Sequence, residues 1–194
     1  TVPMDDEGMM CDYIEPLIIK NNPKFIYVNS SYQDPSGIIL SESRRKKLLE
    51  ISSKYRIPIV EEDAASELSF DNEAPPSIKS MDIAGNVIYI YSFSLTFAPG
   101  LSTVFVVAPT ELIKSLSYLV SIRLISLDWI KQKLLAKYIS DGTYYRKTKE
   151  LCLIYKEKRD IMCNCLDGLK YLGLTYKKPR GGVYIWCKLP SKLD

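Results

Sequence analysis

Ser92-Phe93-Ser94-Leu95-Thr96-Phe97-Ala98-Pro99-Gly100-Leu101-Ser102 lies between two apolar, β-branched runs, Asn86–Tyr91 and Thr103–Ala108. Runs of that composition read as strands, and Pro99-Gly100 makes a turn within the segment between them. Upstream, Phe25-Ile26-Tyr27-Val28-Asn29 follows Asn22-Pro23 and also reads as a strand. Gln33-Asp34-Pro35-Ser36-Gly37 comes next as a turn, because Pro and Gly preset the backbone there. Ser41 is the candidate N-cap of a helix whose apolar face, Leu48, Leu49, Ile51 and Ser52, runs to about Tyr55. Pro58 then opens a strand, Ile59-Val60, that runs into Glu61-Glu62-Asp63. Three consecutive acids are expected at the solvated mouth of a sheet rather than in a core. Strand, helix, strand, loop, strand, strand predicts an α/β sheet with mainly parallel strands.

Beyond Pro109 the pattern changes. Glu111 to about Ser140 reads as helix with breaks, and Tyr144 to about Gly168 as one long helix rich in Lys and Arg. Leu151, Tyr155, Met162, Cys165, Leu166 and Leu169 recur at helical spacing and predict its buried stripe, with Lys149, Lys156 and Arg159 on its solvated face. Gly181-Gly182-Val183-Tyr184-Ile185-Trp186-Cys187-Lys188-Leu189-Pro190 reads as a glycine turn into a strand, with Tyr184 and Trp186 expected in a core. The chain thus divides into a sheet-rich unit, residues 1–140, and a second part, residues 141–194.

Composition narrows the function classes. Of 194 residues, Lys and Arg total 26 and Asp and Glu total 23, a net charge of +3. That balance argues against a dedicated nucleic-acid surface. A hydrophobic content of 46% excludes a disordered chain. The longest apolar runs, Val87–Tyr91 and Val104–Pro109, fall far short of the roughly 18 residues of a spanning helix, so no membrane contact is expected. There is no histidine, which removes the commonest general base and metal ligand. Cys11, Cys152, Cys163, Cys165 and Cys187 are scattered; Cys163-Asn164-Cys165 has no second pair to complete a zinc site. Thiols of that kind are expected reduced, in a cytoplasmic protein with no metal.

Four segments in order resemble the class I/II aminotransferases of fold type I, the pyridoxal-phosphate enzymes. Tyr32-Gln33-Asp34-Pro35-Ser36-Gly37 is similar to a Q-N-P-T-G turn. Ile59-Val60-Glu61-Glu62-Asp63-Ala64-Ala65-Ser66-Glu67-Leu68 is similar to I-x-E-D-D-x-Y-x-E-L. Ser92–Ser102 is similar to S-F-S-K-T-x-A-P-G-L-R, and Pro179-Arg180-Gly181-Gly182-Val183-Tyr184-Ile185-Trp186 to P-x-G-G-x-F-x-W. Val2-Pro3-Met4-Asp5-Asp6-Glu7-Gly8-Met9 is similar to a V-P-x-D-x-E-G lead-in. Each motif is weak alone; order and spacing together span essentially the whole chain. The closest group holds the aminoadipate-type aminotransferases and the aminotransferase-like domain of MocR-type GntR regulators.

The resemblance implies a mainly parallel mixed sheet of the fold type I large domain, partial here over residues 1–140. Residues 141–194 would be the interdomain helix and the start of a small α+β domain. A whole domain of this family is about twice this length, so the chain, which begins at Thr1, is expected to be the middle of a longer protein. The family's chemistry needs a lysine to condense with the cofactor and an acid at its pyridine nitrogen. It also needs Asn and Tyr at its phenolic oxygen and a phosphate cup with Ser and Arg. Carried onto this sequence, the lysine position is Leu95, so no catalytic residue is assigned. The pyridine partner falls on Glu62 with Asp63 beside it, the Tyr on Ala65, the Asn on Asp34 and the phosphate Arg on Ser102; Ser92 and Ser94 are retained. Leucine cannot form an imine, and Asp34 places a negative charge where the family has an amide donor.

These substitutions imply a degenerate pyridoxal-phosphate site of Asp34, Glu62, Ser92 and Ser94, with no covalent hold on the cofactor. The plain structural readings stand beside that one: a solvated acidic strand end for Glu61-Glu62-Asp63, and turn capping for Ser92 and Ser94. The expectation for function is a non-catalytic sensing or dimerisation module of a MocR-type regulator, homodimeric in the full protein. Its DNA-binding winged helix would lie outside this chain, which itself makes no nucleic-acid contact. Its ligand would be a small phosphorylated or amino-acid-like molecule. A working aminotransferase with a lysine supplied from elsewhere, and a phosphate-ligand binder built on Ser92 and Ser94, are the alternatives.

Overall fold

Three β-branched segments form the first strands of one sheet, and their buried apolar residues Ile26, Val28, Ile59 and Val87 fall on one face of it. The computed structural model describes residues 1–71, 76–122 and 129–190. A short antiparallel pair, β1 (Met4–Asp5) and β2 (Gly8–Met9), precedes α1 (Ile14–Asn21). Then come β3 (Ile26–Asn29), α2 (Glu42–Tyr55), β4 (Ile59–Asp63), β5 (Val87–Ser92) and β6 (Val104–Val107). Helices α3 (Thr110–Ile122), α4 (Trp129–Ser140) and α5 (Thr143–Asp167) follow, and a hairpin of β7 (Thr175–Tyr176) and β8 (Cys187–Lys188) closes the described chain. The sheet order is β3-β4-β5-β6; the first three strands are parallel and β6 is antiparallel. The mainly parallel α/β sheet expected from the sequence is therefore present. The part of the expected helix at 123–128 lies outside the described residues.

Register decides which residues share a face. Val28, Glu61, Tyr89 and Val107 stand side by side across the sheet, as do Ile26, Ile59 and Val87. This is the helix-covered face. Ile14 and Ile18 of α1 and Leu48 and Ile51 of α2 pack with Ile26, Val28, Ile59 and Val87 in the main core. Toward β6 the same face carries a second cluster, Tyr91, Phe93, Leu135 and Tyr144, which brings in α4 and α5. Asn29, Glu62, Ile90 and Val106 form a row on the opposite face, where none is fully buried.

The acidic strand end is not the solvated group expected. Strand alternation splits it: Glu61 and Asp63 are 0% and 3% exposed on the helix side, and Glu62 faces the other way. Each buried acid has its own partners. Glu61 accepts hydrogen bonds from Ser30 Oγ at 2.6 Å and from the backbone N–H groups of Ile78 and Lys79, each at 2.8 Å. It lies 3.8 Å from Nη1 of Arg45, which is also fully buried. Arg45 donates to the carbonyls of Leu40 at 2.9 Å, Ser30 at 2.6 Å and Pro76 at 3.2 Å, and to Ser31 Oγ at 3.2 Å. Asp63 accepts from the Ser66 N–H at 3.0 Å and the Tyr89 hydroxyl at 2.8 Å.

Helix α5 also docks differently. Its buried residues are Tyr144, Thr148, Arg159 and Cys163, while Met162, Cys165 and Leu169 of the expected stripe are exposed. Polar anchors, not the apolar stripe, set its rotation. Arg159, expected in solvent, is buried; it donates to the Pro179 carbonyl at 2.6 Å and pairs with Asp71 at 3.2 Å and Asp160 at 3.0 Å, with its guanidinium over the Phe70 ring. Lys156 reaches Asp71 at 2.8 Å, and Lys149 alone of the three is fully solvated. Ser41 sits at the α2 N-cap in an extended conformation, but its hydroxyl turns to Glu7 and Ser43 instead of capping.

Removing one member of a buried ion pair leaves an uncompensated charge, at a cost of about 3–5 kcal/mol. Arg45→Met is expected to lower stability by about that amount. Urea denaturation should show it as a fall in midpoint; a change below about 1 kcal/mol would contradict the assignment of Arg45 as the fold's polar anchor.

Candidate functional site

In open α/β sheets the crevice beyond the carboxyl ends of the strands is where loops can converge on a ligand. Here three neighbouring parallel strands deliver the walls. Asn29, Tyr32, Gln33 and Asp34 come from the end of β3 and its loop, Glu62, Ala64 and Ala65 from the end of β4, and Leu95 from the loop after β5. They enclose a cavity of about 300 Å³, closed on the far side by Val183 and Tyr184 and below by Gly8, Met9 and Leu40. Of the positions read from the sequence, Asp34, Glu62, Ala65 and Leu95 meet around this one space.

Ser92, Ser94 and Ser102 are not among its lining residues. Ser92 Oγ donates to Ser94 Oγ at 3.0 Å and accepts the Ser94 N–H at 3.3 Å, so the pair caps its own turn. Ser102 is exposed, in the left-handed region at φ 42°, and its hydroxyl bonds the Pro99 carbonyl at 3.4 Å.

The loop carrying Asp34 is held by Gln33. Its N–H donates to the Ile38 carbonyl at 2.9 Å, its carbonyl accepts from Gly37, and its Oε1 accepts the Ser36 N–H at 3.1 Å. The Asp34 side chain is left exposed at the cavity edge.

Tyrosines missed by the sequence reading complete the site. The Tyr27 hydroxyl donates to the Glu62 carboxylate. Burial, then the bond to and charge of Glu62, then the charge of Asp34, push the Tyr27 phenol up to about 12. The Tyr184 hydroxyl faces Asp34, whose carboxylate holds that phenol above its ordinary value. Tyr184 is 41% exposed and Trp186 57%, so neither is the core residue expected. The signal for Tyr27 was available: in Phe25–Asn29 it alternates with Ile26 and Val28, and so belongs to the face that Glu62 shares. No comparable local signal existed for Tyr184, because its place depends on a contact remote in sequence.

That contact is made by backbone. Gly181 pairs with Ser69 in an antiparallel bridge, the Phe70 N–H donates to the Arg180 carbonyl at 2.8 Å, and the Gly182 N–H donates to the Leu68 carbonyl at 2.9 Å. The Tyr32 ring packs so closely there that a Cβ on Gly181 would lie 2.3 Å from Tyr32 Cζ and 2.4 Å from the Leu68 oxygen. Gly182 has φ +74°, which favours glycine. The expected glycine turn is thus present, but regular strand begins only at Cys187.

The cavity's electrostatics are one-sided. No lysine or arginine is among its described lining residues. Asp34 and Glu62 make no ion pair among the described residues, in contrast to Glu61. Further along the buried face, the Tyr144 hydroxyl donates to Glu67, accepts from Thr96 Oγ1 at 2.8 Å and lies 3.1 Å from the Tyr91 hydroxyl. Burial is the main cause holding the Tyr91 and Tyr144 phenols high.

Comparison with known proteins agrees with this geometry. A family model described as aminotransferase class I and II matches residues 4–194. Aromatic-amino-acid aminotransferase 1 of Thermococcus litoralis is 31% identical over 198 residues, covering 100% of this chain and 48% of its own. The HTH-type transcriptional regulator YisV of Bacillus subtilis is 32% identical, covering 99% of this chain and 40% of its own. The crystal structure of LysN, the α-aminoadipate aminotransferase of Thermus thermophilus, superposes with a TM-score of 0.92 at 30% identity, over 100% of this chain and 50% of that one. The chain spans about half the length of the relatives it matches.

Gly181→Ala is expected to destabilise by about 1–3 kcal/mol through overpacking against Tyr32, readable in urea melts. An unchanged melt would show that the wall is not held there. The raised Tyr27 phenol keeps its proton in the folded state while the unfolded chain loses it. That contribution to stability is therefore complete below about pH 10 and is lost as pH rises toward about 12. Tyr27→Phe should flatten the alkaline limb of a stability–pH curve relative to the parent; identical limbs would contradict the assignment.

Proposed function

This chain belongs to the aminotransferase class I and II family, and from that premise we propose that it is a domain that binds a ligand and dimerises but does not transaminate. Its setting, on this reading, is the C-terminal part of a MocR-type regulator of the GntR group, cytoplasmic and homodimeric, with DNA contact made by a winged helix elsewhere in the protein. The observation that carries the reading is Leu95, which lines the cavity at the lysine position while no described lysine or arginine lines it with Leu95. The donor set does not fit a covalently held pyridoxal phosphate. Leucine has no amine, a phosphate would meet no lysine or arginine among the described lining residues, and Asp34 adds negative charge beside the phenolic position. Similarity to the regulator YisV supports the setting. Domains at 1–140 and 141–194 are part of the proposal. No described helix is long and apolar enough to cross a membrane.

A second reading, a working aminotransferase, is favoured by one observation: Glu62 keeps a carboxylate in the cavity at the pyridine-partner position. It needs a lysine that the described cavity wall does not supply. The two readings separate in one experiment. With pyridoxal phosphate, the first expects no lysine labelled by borohydride and no half-reaction with any amino acid at high protein concentration. A borohydride-fixed lysine located by peptide mapping would overturn it.

A further inference from the structure

We propose that the cavity at the strand ends selects a small organic ammonium ion that carries neither carboxylate nor phosphate. The proposal rests on the reading of this site as a non-transaminating ligand pocket and names its ligand class.

Charge comes first. Asp34 and Glu62 enter the same space from the β3 loop and from β4, close enough that both act on the Tyr27 phenol. Each meets a neutral tyrosine hydroxyl rather than a cation: Tyr27 for Glu62 and Tyr184 for Asp34. A hydroxyl orients a carboxylate but does not neutralise it. The fully buried Glu61, on the opposite face of the same sheet, is by contrast met by Arg45. The cavity therefore carries negative charge, half-buried at Glu62 and exposed at Asp34, that no described lining cation neutralises, and such charge attracts cations and repels anions. An amino acid or a phosphorylated ligand would bring an anionic group with no lysine or arginine among the described lining residues to receive it.

Wall chemistry is the second, independent line. Tyr27 and Tyr184 both line the cavity, and at 51% and 41% exposure neither ring is sealed in the core. Aromatic faces beside carboxylates are the physical basis of ammonium recognition. Asn29 also lines the space, and its side-chain oxygen is buried with no hydrogen-bond partner among the described residues. A buried acceptor without a donor costs free energy until an N–H or O–H fills it. A volume of about 300 Å³ suits an ion of a few heavy atoms up to one carrying a single ring.

Thermal unfolding of the full chain is followed with four probes at constant ionic strength: choline, tyramine, inorganic phosphate and pyridoxal phosphate. A ligand that binds only the native state raises the melting temperature. The ammonium probes are expected to raise it saturably and the anions to leave it unchanged. Glu62→Gln and Asp34→Asn should each weaken the ammonium effect about tenfold, the scale of one lost charge-assisted contact. Leu95→Lys, which puts a fixed cation into the same space, should abolish it with both acids intact, and so keeps the test open if an acid variant fails to fold. Stabilisation by phosphate or pyridoxal phosphate but not by the ammonium probes would overturn the inference. So would no shift with any probe, or an ammonium effect that survives Leu95→Lys. None of these results makes the chain a transaminase; that reading is decided separately, by borohydride labelling of a lysine.

Discussion

The buried contact between Arg45 and Glu61 is the constraint around which the rest of this sheet is arranged. Neither side chain reaches water. The guanidinium ties α2 to the carbonyls of Leu40, Ser30 and Pro76, and the carboxylate ties β4 to Ser30 and to the backbone at Ile78 and Lys79. Burying a pair of charges is costly, so the gain over an apolar pair is modest. What it supplies is a shared anchor: α2, the end of β3, β4 and the segment around Ile78 all bond to it in the observed register. The strand ends that deliver the cavity wall are fixed by that register.

One strand thereby carries two kinds of chemistry. Glu61 and Asp63 are structural acids, each met by its own donors, and Glu62 between them belongs to the cavity. A one-residue slip of β4 would exchange these roles and bury the unpaired acid. The register is thus protected by charge as well as by Ile59, which is fully buried. The side chains that set the frame, Arg45, Glu61, Leu48 and Ile59, point away from those that would touch a ligand.

Much of the fold was legible in the sequence because it is written locally. Strand composition, Asp34-Pro35-Ser36-Gly37 and Pro99-Gly100 place the four sheet strands and α2 within a residue or so of their ends, and of the positions drawn from the resemblance Asp34, Glu62, Ala65 and Leu95 line one space while Ser92 and Ser94 do not. What failed depended on pairing between remote segments. Arg45 sits on a helix among Arg44, Lys46 and Lys47, and nothing local marks it as the buried one. Arg159 is likewise one cation among many until Asp71, Phe70 and the Pro179 carbonyl surround it. Reading three acids as a solvated cluster treated a strand as though it had one face. Tyr184 was missed because its partner, Asp34, comes from another element of the chain, whereas Tyr27 stood in plain alternation with Ile26 and Val28.

The bridge at Gly181 bears on how such a site changes over evolutionary time. The far wall of the cavity is positioned by main-chain hydrogen bonds and by glycines that admit the Tyr32 ring, not by the side chains that face inward. A wall hung on its backbone can exchange its inward side chains almost freely, since none of them bears its weight. Val183 and Tyr184 can therefore vary on a fixed mount. Substitution there would change the chemistry of the wall and leave its place unchanged.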